Sequence, residues 1–432
     1  MTLRNRRYAK SIEMLARARK VIPLGTQTFS KSYQQFPQDA APLFLTHGEG
    51  CRVWDVDGNE YVDMISGLLP VVLGYCDPDV DAAVRDQLER GMSFSLATEL
   101  EIELAERLVE IIPCAEMVRF GKNGSDATTA CVRIARAATG RERIVICGYH
   151  GWHDWYLAAT VRNKGVPRCL AELVHRVPYN DVGALHAAFR SHPGEIAAVI
   201  MEPVGTEEPA PGYFAELQAL VRAEGALLVF DEIITGFRYA LGGAQQHLGV
   251  TPDLAAFGKA MGNGMPISAV VGRADLMAQL EEIFFSATFG GEACSLAAAI
   301  AVVDKMRREP VIERLWDSGE HLATRVRTAI EAHNLQSAVM LTGLAPWTVL
   351  RFCDTNGASK EAIKTLFMRE MLGQGVLIAA SNNVTYAHSP ADLDRVLKAY
   401  DRAFGLVASN LAEGTLEATL DGPPIMPVFS VR

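Results

Sequence analysis

Residues Leu227–Val271, LLVFDEIITGFRYALGGAQQHLGVTPDLAAFGKAMGNGMPISAVV, organise the reading of this chain. Leu227-Leu228-Val229-Phe230 is an apolar run too short for a helix and closed by charge, which predicts a buried strand. Asp231 and Glu232 fall at its carboxyl end, where open α/β sheets place their ligands. A second short apolar run, Leu254-Ala255-Ala256-Phe257, predicts another strand. It delivers Gly258-Lys259 and then the turn Gly262-Asn263-Gly264-Met265-Pro266.

Taken alone, the pair supports two readings. An Asp after a strand is commonly a cap or turn residue, and a Lys a solvated charge. A carboxylate and a lysine at two strand ends also suit pyridoxal phosphate (PLP), which needs a lysine for its Schiff base and an acid to keep its pyridine nitrogen protonated.

At 432 residues the chain exceeds one ordinary core, and two domains are expected. Its 49% hydrophobic and 21% charged content is that of a soluble globular protein. A net charge of −10 argues against binding nucleic acid as the main task. No apolar run reaches the roughly 20 residues that span a bilayer. The basic N-terminus lacks an apolar core and cleavage site, so no secretory signal is expected. Ile12, Leu15 and Ala16 instead recur at helical spacing ahead of Pro23. The eight cysteines form no CxxC pair and read as reduced thiols of a cytoplasmic protein.

Four further landmarks flank the central stretch. Phe120-Gly121-Lys122-Asn123-Gly124-Ser125-Asp126 passes from strand to helix, so its amides and the Ser125 hydroxyl suit a phosphate. An ordinary capped helix is the bland alternative. Ile144–Cys147 predicts a strand leading to Gly148-Tyr149-His150-Gly151-Trp152-His153. The HxxH spacing raises a metal, but no third ligand stands at motif spacing and no metal is expected. Simple packing would equally explain Tyr149 and Trp152. Ala197–Met201 predicts a strand ending in Glu202-Pro203-Val204-Gly205-Thr206-Glu207. Phe284–Glu292 is a Gly-rich turn ahead of a small-residue helix, in which Thr288 has helix capping as its plain role.

Together these motifs resemble, in order and over nearly the whole chain, the class III (fold-type I) PLP-dependent aminotransferases, especially the glutamate-1-semialdehyde 2,1-aminomutase branch. The resemblance implies an α/β fold: a large domain (61–312) with a mostly parallel seven-stranded sheet flanked by helices, and a smaller α+β domain (313–432) completed by residues 1–60. It implies that Lys259 is the Schiff-base lysine, Asp231 pairs with the pyridine nitrogen, Ile233 packs on the ring, Tyr149 stacks with His150 completing its motif, and Glu202 lies nearby. Gly124 and Ser125 would hold the phosphate, and Thr288 would reach the other subunit's phosphate across a homodimer with shared active sites.

Three positions depart from the aminomutase pattern. Lys31 falls where that branch has an arginine on a substrate carboxylate, and lysine offers a point charge rather than a fork. Leu68, in Ser66-Gly67-Leu68-Leu69-Pro70, replaces the usual tryptophan. Glu207 matches a glutamate of ω-aminotransferases. No arginine stands between Ser381 and His388 to act as a carboxylate switch. The expected activity is therefore transfer of an amino group from a small-molecule donor, L-glutamate, to a keto or aldehyde acceptor, biosynthetic and sugar-like. The alternatives are a 2,1-aminomutase, a racemase or epimerase, and a non-catalytic dimer of the same fold.

Overall fold

The computed structural model describes residues 7–420 and 422–426. The described residues form two compact units: one contains Leu69–Val72 and Asp77–Ile312, the other residues 7–68, Leu73–Cys76 and the described residues from Glu313 to 426.

The first unit is built on seven strands: β1 (Met117–Gly121), β2 (Arg143–Cys147), β3 (Val174–Arg176), β4 (Ile196–Met201), β5 (Leu227–Glu232), β6 (Leu254–Phe257) and β7 (Ser268–Gly272). Their order is β1-β7-β6-β5-β4-β2-β3. Only β7 runs against its neighbours, pairing antiparallel with both β1 and β6. Sequence patterning explains the burial. Every residue of β4, β6 and β7 is buried, as expected of apolar runs covered on both faces. Helix α1 (Gly124–Thr139) buries Ala127, Ala130, Cys131, Ile134 and Ala135, one helical stripe, against the core that includes Ile144, Ile200 and Val229. It stops at Gly140, whose φ of 66° gives the left-handed cap that glycine adopts without strain.

The second unit carries two small sheets. Leu45–Glu49, Arg52–Asp55 and Glu60–Asp63 form an antiparallel meander, with Val376–Leu377 parallel to its last strand. The Asp57-Gly58 turn is tied by Asp55 Oδ1, which accepts from the amides of Asp57 (3.0 Å) and Asn59 (2.8 Å). Val339–Thr342, Trp347–Phe352 and Ser381–Asn383 form the other sheet. Helix Pro390–Glu413 starts at a capping box of Ser389 and Asp392 and packs Tyr400 and Phe404 on Phe367, at ring distances of 5.5 and 5.4 Å.

Candidate active site

The carboxyl ends of β1, β2, β4, β5 and β6 lie along one edge of the sheet and hold the predicted residues of the first unit. Strand β5 ends in two buried carboxylates that alternate to opposite faces. Asp231 Oδ1 accepts from the Ile233 amide at 3.1 Å, and Oδ2 from the Nδ1–H of His150 at 2.8 Å. His150 is itself buried, and its Nε2 has no hydrogen-bond partner. Sequence alone made His150 part of the Tyr149 motif; the fold also sets it against Asp231. Glu232 faces away and accepts from the amides of Ala244 (2.7 Å) and Gln245 (2.9 Å) and from the Thr235 hydroxyl. A side chain at Gly243 (φ 85°) would sit 2.7 Å from this carboxylate, so glycine alone closes the turn.

Lys259 follows β6 and Gly258 as the first residue of a single 3₁₀ turn, Lys259–Gly262, with φ of 42°. Holding a non-glycine residue there stores about 1–3 kcal/mol. Burial lowers the Lys259 pKa to about 8; the charges of Glu202 and Asp231 oppose that fall, and Arg238 adds to it. Glu202, just past β4, has its pKa raised by burial and by Asp231, while its Oε2 accepts from the Tyr149 amide at 3.0 Å. Tyr149 itself presents an exposed ring, 52% accessible.

The strand-to-helix passage after β1 is fixed by a capping box between Asn123 and Asp126, whose Oδ2 accepts from the Asn123 amide at 2.7 Å. Ser125 Oγ accepts from the Trp152 amide at 3.2 Å, so the loop after β2 lies on the helix start. The approach is close: a Cβ at Gly151 (φ 103°) would fall 2.2 Å from Ser125 Oγ. Ile233 sits between the two ends, since a Cβ at Gly124 would be 3.0 Å from its Cγ2 and one at Gly258 3.2 Å from its Cδ1.

The remaining predicted residues lie in exposed loops of the first unit and in the second unit. Glu207 and Thr288 are exposed, in the loops after β4 and ahead of helix Ala293–Arg308. Lys31 and Leu68 belong to the second unit, where they line one cavity of about 410 Å³ with Leu15, Tyr33, Phe44 and Tyr75. His150 and His153 diverge, the latter meeting Thr129 Oγ1 at 2.7 Å, and among the described residues no group of three His, Cys, Asp or Glu could hold a metal.

Sequence reasoning missed two residues. Arg238 is wholly buried, with Nη2 donating to the Leu69 carbonyl at 3.1 Å, and burial pushes its pKa down to about 10. Its signal was an arginine inside the apolar Gly236-Phe237-Arg238-Tyr239-Ala240. The role of Glu232 had no signal, because its partners Ala244 and Gln245, at the start of the short helix Ala244–Leu248, come to it only through the fold.

This donor set fits PLP. The amides and hydroxyl at the start of α1 suit a phosphate, the exposed Tyr149 ring a flat heterocycle, and buried Asp231 a protonated ring nitrogen. Burial brings the Lys259 pKa down to about 8, which enlarges the share of neutral amine able to bond a carbonyl. A mostly parallel sheet with these groups along its carboxyl edge defines a PLP-dependent enzyme of the aminotransferase fold. Comparison with known proteins agrees. The family model for class-III aminotransferases matches residues 33–391. The 3-aminobutyryl-CoA aminotransferase of Cloacimonas acidaminovorans (strain Evry) is 34% identical over 91% of this chain and 96% of its own. The glutamate-1-semialdehyde 2,1-aminomutase of Methanosarcina acetivorans is 33% identical over 90% and 97%. The PLP form of the FumI protein of Sphingopyxis sp. MTA144 superposes with a TM-score of 0.85 at 31% identity, covering 94% of this chain and 98% of that one. The chain belongs to the class-III aminotransferases, whose cofactor is pyridoxal 5′-phosphate. No described helix is long and apolar enough to cross a membrane.

Proposed function

We propose that the protein moves an amino group from L-glutamate to a keto or aldehyde acceptor, biosynthetic and sugar-like, as a cytoplasmic homodimer. One observation carries the catalytic part: a lysine with its pKa near 8 stands within electrostatic reach of a buried acid that a histidine holds in place. Bound PLP supplies the electron sink for the pair left when a substrate Cα–H ionises. Asp231 keeps the ring nitrogen protonated, and His150 orients Asp231. Lys259 Nζ takes the Cα proton as a base and returns a proton as an acid. Ser125 Oγ and the amides from Gly124 onward would hold the phosphate, Tyr149 and Ile233 would supply faces for the ring, and Glu202 braces the Tyr149 loop.

The acceptor class rests on the departures at Lys31, Leu68 and Glu207. The dimer rests on exposed apolar surface around Thr288: Phe284 is 79% and Leu96 85% accessible, and Ile102, Val109 and Met117 line a groove of about 700 Å³ beside Ala287. Thr288 would reach the partner's phosphate from there. Eight cysteines without a disulfide accord with a cytoplasmic setting.

A half-reaction tests the donor. PLP-loaded protein given L-glutamate and no acceptor should lose the cofactor absorbance near roughly 420 nm and release 2-oxoglutarate. An unchanged spectrum refutes glutamate as donor. The aminomutase relatives keep a second reading open, which would gain if isotope from a free keto acid failed to enter the product.

A further inference from the structure

Lys122 stands just before Asn123, the N-cap of α1, yet its ammonium is already committed. Its Nζ pairs with Glu292 Oε2 at 3.0 Å, with both side chains only 15% accessible. Glu292 is the N-cap of helix α2 (Ala293–Arg308), accepting from the Cys294 amide at 2.8 Å, the Ser295 amide at 3.2 Å and the Ser295 hydroxyl. Burial raises the Glu292 pKa, but the hydrogen bond from Ser295, the Lys122 ammonium and the Cys294 amide outweigh it and hold the group at about 2. At its other end, Lys122 is anchored through its own amide, which donates to Asp126 Oδ2 at 3.2 Å.

The loop before α2 lies directly on the β1–α1 passage. A Cβ at Gly290 would be 3.2 Å from the Phe120 carbonyl, Arg119 donates to the Phe285 carbonyl at 3.2 Å, and Arg133 to the Phe284 carbonyl at 3.1 Å. Turns Ala287–Gly290 (2.9 Å) and Phe289–Glu292 (3.2 Å) make the Thr288 segment continuous with the helix cap.

We infer that Lys122 is a positioning residue for the cofactor phosphate: its ion pair with Glu292 is a strut between the Ser125 helix start and the Thr288 loop. The inference rests on the proposed reading of Ser125 as a contact to this subunit's phosphate and of Thr288 as a contact to the partner's. A lone carboxylate near that site would repel a phosphate dianion, and a lone lysine on its flexible stem would wander. Paired, they cancel in charge and fix two loops to each other. A strut differs from a direct phosphate ligand in a measurable way. If Lys122 gripped the phosphate itself, neutralising Glu292 would free the lysine and tighten binding.

The test measures dissociation constants of the full-length protein for PLP and for pyridoxal, which lacks the phosphate. Lys122→Met and Glu292→Gln should each weaken PLP about tenfold, the equivalent of one charge-assisted hydrogen bond, and pyridoxal by less than about twofold. The double variant should be no worse than either single one, because both remove the same contact. Lys122→Arg, which keeps the charge and reach, should recover most of the loss. Tighter or unchanged PLP binding in Glu292→Gln overturns the strut, as does an equal loss of both ligands in Lys122→Met. Ser125→Ala separates the two levels of the reading. A phosphate-selective loss there with none in Lys122→Met or Glu292→Gln defeats only the strut, whereas no selective loss in Ser125→Ala defeats the phosphate assignment and the strut with it.

Discussion

The loops at the carboxyl edge of the sheet and the stretches around Lys31 and Leu69 handle backbone strain in different ways. In the strand-end loops after β2, the positive-φ positions are glycines, Gly148 at 112° and Gly151 at 103°. Each glycine also makes room for a polar atom of the site, Glu202 Oε2 and Ser125 Oγ. Glu232 there accepts from the Ala244 and Gln245 amides and the Thr235 hydroxyl, and three non-glycine residues after β5 and β6, Phe237 (58°), Lys259 (42°) and Asn263 (44°), keep a left-handed φ. Around Lys31 and Leu69, ordinary side chains take the strain: Leu24 at 60°, Ser66 at 50°, Leu68 at 79° and Leu69 at 80°. Three of those four have no amide or hydroxyl in the side chain with which to stabilise the turn locally, so surrounding contacts must hold the backbone. Ser66 donates from its amide to Asp63 Oδ1 (3.1 Å) and from its hydroxyl to the Asn383 carbonyl (2.9 Å), and Arg238 holds the Leu69 carbonyl. Strain kept against such a cost tends to gather where a ligand is shaped. The loop after β2 places glycine where the chain must turn left-handed beside a polar atom, whereas the Ser66–Leu69 run imposes that turn on side chains that do not favour it.

The largest expected effect falls on the strand-end side. Lys259→Ala should lower amino-group transfer by roughly 10⁴-fold or more and remove the cofactor band, with the fold intact by circular dichroism. The pH dependence carries its own sign. Only the neutral amine captures a carbonyl, and the Lys259 pKa is lowered to about 8, so the rate of covalent PLP capture should rise with pH through about 8 and level off above it. A rate still climbing at the pH where free lysines titrate would mean that the folded site does not desolvate this amine.

The same contrast explains what the sequence made legible. Strand β5, strand β6 and the start of α1 were readable because each is a local pattern: an apolar run of strand length, then a carboxylate, a lysine or an Asn-Gly-Ser cap. The pairing of His150 with Asp231, 81 residues apart, was not, since it depends on β2 and β5 each pairing with β4 between them. Nor was the reversal of β7, whose Ser268-Ala269-Val270-Val271 run is equally apolar in either direction. The left-handed run at Ser66–Leu69 was least legible of all, because Leu-Leu carries no turn signal and the long-range bonds to Asn383 and Arg238 impose the conformation.

On the substrate side a moderate effect is expected at Lys31. If this exposed ammonium meets the distal carboxylate of glutamate, Lys31→Arg would offer a bidentate fork in its place. The KM for L-glutamate should then fall by roughly 3- to 10-fold with kcat little changed, equivalent to one added charge-assisted hydrogen bond. Identical KM values for both proteins would place position 31 outside substrate contact and remove one of the three departures on which the acceptor class rests.

The smallest effect is the most direct measure of the strain itself. Leu69 is buried at φ of 80°, so Leu69→Ala and Leu69→Gly lose nearly the same packing and differ by one methyl group. At an ordinary position Gly is the less stable of the two by roughly 0.5–1 kcal/mol, because it gives up more chain entropy on folding. At a left-handed position the alanine Cβ meets the following carbonyl oxygen, at a cost of about 1–2 kcal/mol. The order should therefore invert here, with Leu69→Gly more stable than Leu69→Ala by roughly 0.5–1 kcal/mol in denaturant unfolding. The usual order would mean that the backbone relaxes out of the left-handed region once the leucine is gone. The strain would then belong to the leucine side chain and its packing, not to the path that Arg238 and Ser66 impose on the main chain.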